Sequence, residues 1–304
     1  MALLLDKRGD EIQITEDVVK AAAANWRSGQ QIMTLLFDKR RDEVQITEDV
    51  VKTAAEYGSC ETMALLLDKR GDEIQITEDV IKAAAENEKS GQEIIALLLN
   101  KREDEIQITE DVVKAAAGNE DSGKEIMALL LVKRGDEVHI TEDIVKAAAA
   151  NVFHGQGIMA LLLDKRGDEV RITEDIVKAA AANVFHGQGI MALLLDKRGD
   201  EVRITEDVVK TVAANENSGQ QIMALLLDKR GDEIQITEDV VKAAAGNWRR
   251  GQQIMALLLN KRGDEVRITE DVVKAAAQTA ACVLHSLRLR PVSIFTLSLP
   301  VYPA

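Results

Sequence analysis

Apolar residues recur along the chain in two alternating patterns. One is the block Met-Ala-Leu-Leu-Leu or a close variant, which begins at Met1, Met33, Met63, Ile95, Met127, Met159, Met191, Met223 and Met255. The other is a run such as Val272, Val273, Ala275, Ala276 and Ala277, with Glu270, Asp271 and Lys274 opposite it on a helical wheel. The blocks are spaced by 32, 30 and then 32 residues six times, so nine units fill residues 1–277. A fixed period of this size predicts a stacked array, because one unit cannot bury its apolar surface alone. The fold class expected is all-α: an α-solenoid of nine ~32-residue helix-turn-helix repeats. Strands fit only in the two or three residues around Glu-Val-Arg-Ile.

Within residues 251–277, Ile254, Met255, Leu257, Leu258 and Leu259 spread over about 200° of a helix, which predicts a first helix buried on two sides. The second helix has a wet face, and its alanines permit close approach of neighbours. Lys261, Arg262 and Gly263 predict a helix end with cations at the negative pole and a left-handed glycine cap. Lys-Arg-Gly occurs in seven of the nine units, with Arg41 and Glu103 in place of glycine in the second and fourth. Thr269 reads as the N-cap of the second helix, Ile268 as a staple against Val273, and Glu270 with Lys274 as an i,i+4 pair. Ser28 with Gln31, Ser90 with Glu93, Ser122 with Glu125 and Ser218 with Gln221 read as capping boxes for the first helices. The repeats that start at 127 and 159 differ only at Val132/Asp164 and His139/Arg171.

The segment 236–266, from Ile-Thr-Glu-Asp-Val-Val-Lys-Ala-Ala-Ala to Met-Ala-Leu-Leu-Leu-Asn-Lys-Arg-Gly-Asp-Glu-Val, resembles an ankyrin repeat. It shares a Thr-initiated helix ending in alanines, a glycine before the next helix, Leu-Leu-Leu within that helix and Gly-Asp after it. Thr-Glu-Asp-Val stands where ankyrin has Thr-Pro-Leu-His, and the link from Gly-Asp to Thr is too short for the ankyrin β-hairpin finger. The closer resemblance is to the ankyrin-like arrays of fungal ankyrin-type and NACHT/NLR-type receptor proteins, over roughly 1–277. That resemblance implies the recognition region of a larger fungal receptor-like protein, with no catalytic residues to carry over. Met1 shares its repeat position with Met33 and Met63, which suggests a chain that opens inside an array. Residues 278–304 leave the period and hold all three prolines, so they read either as a C-terminal cap or as read-through of non-coding sequence.

The chain carries 38 Lys+Arg against 52 Asp+Glu, a net charge of −14, with 46% apolar residues. That apolar content excludes a disordered chain, and the acidity argues against nucleic acid as a partner. The two cysteines lie in different contexts, and no secretory leader or apolar run of membrane-spanning length is visible, so a cytoplasmic, non-membrane protein is expected.

Candidate chemistry is sparse. Arg-Gly-Asp recurs seven times, where it coincides with the expected helix end. Asp10, Glu11, Glu16 and Asp17 recur in every unit, and stacking would align them into acidic rows. Those rows give the alternative function, regulatory binding of cations or basic ligands, although calcium-loop spacing is missing. His139, His154, His186 and His285 lack the second ligands of a zinc site. No catalytic residue, cofactor or metal is therefore expected.

The positions that vary against the constant background carry more information. The turn between second and first helices reads Trp26-Arg27, Tyr57-Gly58, Glu88-Lys89, Glu120-Asp121, Val152-Phe153, Val184-Phe185, Glu216-Asn217 and Trp248-Arg249. A second variable position holds His139, Arg171, Arg203 and Arg267 in some units and glutamine in others. Aromatics and arginine are common interface anchors. Trp26, Arg27, Tyr57, Val152, Phe153, Val184, Phe185, Trp248 and Arg249, with His139, Arg171, Arg203 and Arg267, are thus candidates for binding a protein or peptide. The alternative for the rings is that they tuck against the next helix.

Overall fold

The computed structural model describes residue 7 and residues 11–288, with side chains through residue 279. Seventeen α-helices occupy the described residues, joined by short turns and single turns of 3-10 helix, and no strand occurs among them. Contacts divide the chain into two compact units, residues 1–204 and 205–304.

The first unit holds α1 (Glu16–Ala23), α2 (Gly29–Arg40), α3 (Glu48–Tyr57), α4 (Cys60–Arg70), α5 (Glu78–Glu86), α6 (Gly91–Lys101), α7 (Glu110–Gly118), α8 (Gly123–Lys133), α9 (Glu142–Ala150), α10 (Gly155–Lys165), α11 (Glu174–Ala182) and α12 (Gly187–Arg198). The second holds α13 (Glu206–Ala214), α14 (Gly219–Arg230), α15 (Glu238–Gly246), α16 (Gly251–Arg262) and α17 (Glu270–Arg288). Each unit is an α-solenoid: within it odd-numbered helices pack on odd and even on even, and each odd helix also packs on the even helix that follows it. The helix α17 continues past residue 277 to Arg288, and the rest of the segment 278–304 lies outside the described residues, as does the opening of the chain at Met1.

The core follows the apolar pattern with one correction. In α9 Ile144, Val145, Ala148 and Ala149 are buried, the stripe expected of the alanine-rich helix. In α12 only Gly187, Ile190, Met191 and Leu194 are buried, while Leu193 and Leu195 are half-buried. The first helix is therefore not buried on two sides. It presents one i, i+3, i+4, i+7 stripe, because the face beyond the leucine triplet meets no further layer. Every buried side chain at this stripe contributes roughly 1.5–3 kcal/mol, offset by the ordering of its repeat.

Helix packing is tight where the even helices begin. A Cβ on Gly123 would sit 2.7 Å from the Ala116 carbonyl oxygen, and one on Gly155 would sit 2.8 Å from that of Ala148. Glycine there serves close approach between the two helices of a repeat.

The end signals are corrected too. No described residue, glycine included, has a positive φ. Gly263 is right-handed, at φ −54° and ψ −35°, and opens a 3-10 turn through Glu265. The helix is thus tightened rather than reversed, and no left-handed cap is required. Ser28, Ser90, Ser122 and Ser218 make no side-chain cap bond, because an asparagine three residues upstream does that work. Thr47, Thr109, Thr205, Thr237 and Thr269 cap their helices, Thr109 accepting from the Val112 amide at 3.4 Å, whereas Thr15, Thr77, Thr141 and Thr173 occupy the same place without a side-chain cap bond. The pair of Glu270 with Lys274 closes at 2.9 Å. Ile268 and Val273, expected to staple α17, are 57% and 55% exposed, unlike their buried counterparts Ile236 and Val241.

Candidate interaction edges

Each repeat is a helical hairpin, so each unit has two edges. The turn edge joins odd helices to the even helices that follow, and the return edge joins even helices to the next odd ones. Helices of 8–12 residues separate the edges by about 12–18 Å at 1.5 Å per residue.

The return edge is tied together by side chains. Arg102 donates to the carbonyl oxygens of Gly71 at 2.9 Å and Ile74 at 3.0 Å in the preceding repeat, while its guanidinium pairs with Glu105 at 2.5 Å. Arg134 does the same to Glu103 and Ile106, and Arg198 to Gly167 and Val170. In the second unit Arg262 donates to Gly231 and Ile234. A planar five-donor guanidinium suits this threefold engagement, which a lysine cannot reproduce. The arginine of each of these Arg-Gly-Asp or Arg-Glu-Asp runs is thus an inter-repeat tie rather than a free recognition group.

The acidic rows are engaged in the same way. Thr109 Oγ1 donates to Glu78 at 2.7 Å, Thr141 to Glu110 at 2.6 Å and Thr269 to Glu238 at 2.7 Å, each across one repeat boundary. Lysines reach forward to the next repeat's aspartate, Lys52 to Asp79 at 2.8 Å, Lys114 to Asp143 at 2.6 Å and Lys146 to Asp175 at 2.9 Å. Hydrogen bonding to Lys52 lowers the carboxyl pKa of Asp79, and Lys114 and Lys146 lower those of Asp143 and Asp175. Among the described residues no group of three or more His, Cys, Asp and Glu is placed to hold a metal ion. The acids serve neighbouring repeats, which leaves the cation-binding alternative without a converging ligand set.

At the turn edge the backbone is held by a buried asparagine that the sequence pattern alone did not single out. Asn151 Oδ1 accepts from the amides of Phe153 at 3.2 Å and His154 at 2.7 Å, forming the cap of α10. Its Nδ2 donates to the carbonyl oxygens of Ala117 at 3.0 Å and Asn119 at 2.8 Å in the preceding repeat. Asn87, Asn119, Asn183 and, in the second unit, Asn247 repeat this arrangement. These asparagines are 2–6% exposed, yet their amides are satisfied in both directions. The visible signal was constancy: seven of the eight turns carry asparagine directly before the variable pair.

With the turn backbone fixed, the variable side chains project outward. Trp26 is 45% exposed, Tyr57 57%, Phe153 51%, Phe185 61% and Trp248 54%, so the rings do not tuck into the core. Phe153 and Phe185 stack with centroids 5.7 Å apart, Arg27 lies 4.9 Å from the Trp26 ring, and Arg249 lies 5.2 Å from Trp248. Val152 and Val184 are half-buried. His139, Arg171, Arg203 and Arg267 are exposed, but they lie on the return edge. The candidate residues therefore do not form one row: the aromatics, with Arg27 and Arg249, occupy the turn edge, and the other four side chains occupy the opposite one.

Among the described residues no helix is long and apolar enough to cross a membrane. No curated protein and no solved structure matches the chain. A family described as a domain of unknown function, DUF7104, matches nine consecutive segments, residues 3–33, 35–60, 65–94, 97–127, 129–159, 161–191, 193–223, 225–255 and 257–280. With nine tandem matches covering most of its length, and a helical hairpin for each full period described, the chain belongs to the DUF7104 repeat family.

Proposed function

We propose that this protein is a non-enzymatic interaction scaffold that binds a protein or peptide through its turn edge. The carrying observation is the contrast in burial at that edge: asparagines hold the backbone from within, and five of the six aromatics in residues 1–277 stand half-exposed outside. Large rings on a rigid support lose little conformational entropy on contact, which suits them as anchors. The surface is acidic, with a net charge of −14, which disfavours nucleic acid as the partner. The resemblance to ankyrin-like arrays of fungal receptor proteins supplies the setting: the recognition region of a larger receptor-like protein in the cytoplasm.

The test is a peptide-display selection on the purified protein, followed by affinity measurement on a variant with Trp26, Phe153, Phe185 and Trp248 all changed to alanine. Selected peptides should bind that variant at least tenfold more weakly, with helicity by circular dichroism unchanged. Retained affinity, or a collapse of the helical signal, defeats the proposal.

A further inference from the structure

The second repeat breaks the period. Its block-to-block spacing is 30 residues rather than 32, and the missing two residues fall in the turn edge. Where the third repeat reads Asn87-Glu88-Lys89-Ser90-Gly91, the second reads only Tyr57-Gly58-Ser59. The asparagine is lost, and Ser59 takes over as cap by accepting from the Thr62 amide at 3.3 Å. Gly58 sits so close to the first repeat that an added Cβ would lie 2.6 Å from the Ala23 carbonyl oxygen. The shortened turn is therefore drawn down into the stack, and a notch opens in the edge above it.

Side chains from the flanking turns show the size of that notch. Lys89 Nζ, two repeats along, lies 4.4 Å from the centroid of the Trp26 ring, and the Arg27 guanidinium lies 4.9 Å from the same ring. Helices in neighbouring repeats sit ~8–10 Å apart, and over the shortened second turn the side chains of turns one and three meet. The result is an open groove lined by Trp26, Arg27, Lys89, Gln30, Gln31 and Ser59. Glu61 also lines it, with its carboxyl pKa lowered by a hydrogen bond with Ser59. Among the described residues neither the Arg27 guanidinium nor the Lys89 ammonium has an ion-pair partner. The lysines and arginines of the inter-repeat ties described above do.

From this geometry we infer that the notch of the second repeat is a docking groove for an extended acidic peptide. A glutamate or aspartate of the peptide bridges Arg27 and Lys89, its flanking side chain lies on Trp26, and its backbone meets the amides of Gln30 and Gln31. Charge complementarity selects this occupant. A chain of net charge −14 repels acidic segments in general, so one docks only where unpaired cations are grouped at short range. Ring and cations are already in contact before the ligand arrives, which limits the ordering cost of binding. The inference rests on the turn edge being the binding edge and assigns one partner chemistry to one part of it.

Two fluorescein-labelled decapeptides, alternating glutamate–alanine and alternating lysine–alanine, are titrated by fluorescence anisotropy into the full chain and two variants. One variant carries Arg27→Gln with Lys89→Gln. The other replaces residues 57–59 with the five-residue turn found at 87–91, which restores the 32-residue period and fills the notch. The acidic peptide should bind saturably to the natural chain and at least tenfold more weakly to both variants, whose helicity should match the parent's. Absence of saturable binding by the acidic peptide, equal binding by either variant, or tighter binding of the lysine peptide overturns the inference. If display-selected peptides still depend on Phe153 and Phe185 in that event, the edge-binding function stands while the acidic groove falls.

Discussion

Within each unit the two edges are made from the same repeats and differ in what their side chains are occupied with. On the return edge Arg102, Thr109 and Lys114 each bond to an adjacent repeat. On the turn edge Asn87 and its counterparts do so from within, His154 reaches the Asp121 carbonyl oxygen and Arg249 donates to Asn217, while the aromatic rings stand half-exposed to solvent. The sequence stays constant at the arginine, threonine and asparagine ties and varies at the turn pair, where only some side chains, such as Arg249 with Asn217, reach a neighbouring repeat. A solenoid needs both kinds of position, since nearest-neighbour contacts supply its cohesion, and a surface freed from cohesion can diversify without unfolding it.

The strongest challenge to that contrast is removal of the ties. Asn151→Ala removes two donated and two accepted hydrogen bonds in a buried turn and strands the Ala117 and Asn119 carbonyls. A loss of about 2–4 kcal/mol is expected from the usual cost of unmade buried bonds, read as a lowered urea midpoint. A change under ~0.5 kcal/mol contradicts the role of the asparagine. Next, Arg102→Ala should cost about 1–3 kcal/mol through its two carbonyl contacts and Glu105, and Arg102→Lys should recover less than half of that. Full recovery by lysine would show that charge, not the forked geometry, matters.

On the turn edge the effects should be smaller. Phe153→Ala loses an exposed stack with Phe185 and should cost about 0.5–1.5 kcal/mol, whereas a loss rivalling that of Asn151→Ala would erase the distinction between edges. The smallest effect concerns acid. Glu43 and Glu105 have pKa values lowered by hydrogen bonds with Arg40 and Arg102, and Asp79 and Asp143 by Lys52 and Lys114. A depressed folded pKa contributes stability that is present above the unfolded value and is lost as pH falls through the folded one. The melting temperature should therefore be level near neutrality and decline below about pH 4–5, where free carboxyls titrate. The decline should be shallow because the groups are exposed and screened. A melting temperature that rises on acidification would remove the inter-repeat pairs from the account.

Much of this was legible in the chain. The period of Met33, Met63 and Ile95, the alternating helices and the threonine caps follow from local pattern, because helical wheel position and capping are set within a few residues. The exposure of Trp26 and Phe153 was left open, since a turn of five residues can aim a ring either way. The roles of Arg102 and Asn151 were not legible, because their partners lie 28–34 residues away. Constancy marked both positions, but glycine after Arg262 suggested a local cap, and Ser122 with Glu125 suggested a capping box that Asn119 pre-empts.

The sequence by itself thus determined the helices, their order and the repeating array, since these depend on apolar spacing that no neighbour can change. Tertiary structure decided the rest. Stacking brought arginines such as Arg102 within reach of carbonyls in the previous repeat, sent the aromatics with Arg27 and Arg249 to one edge and His139, Arg171, Arg203 and Arg267 to the other, and turned a two-residue deletion into a groove between Trp26 and Lys89. The physical reason is distance: those contacts form between residues that meet only after whole repeats have packed.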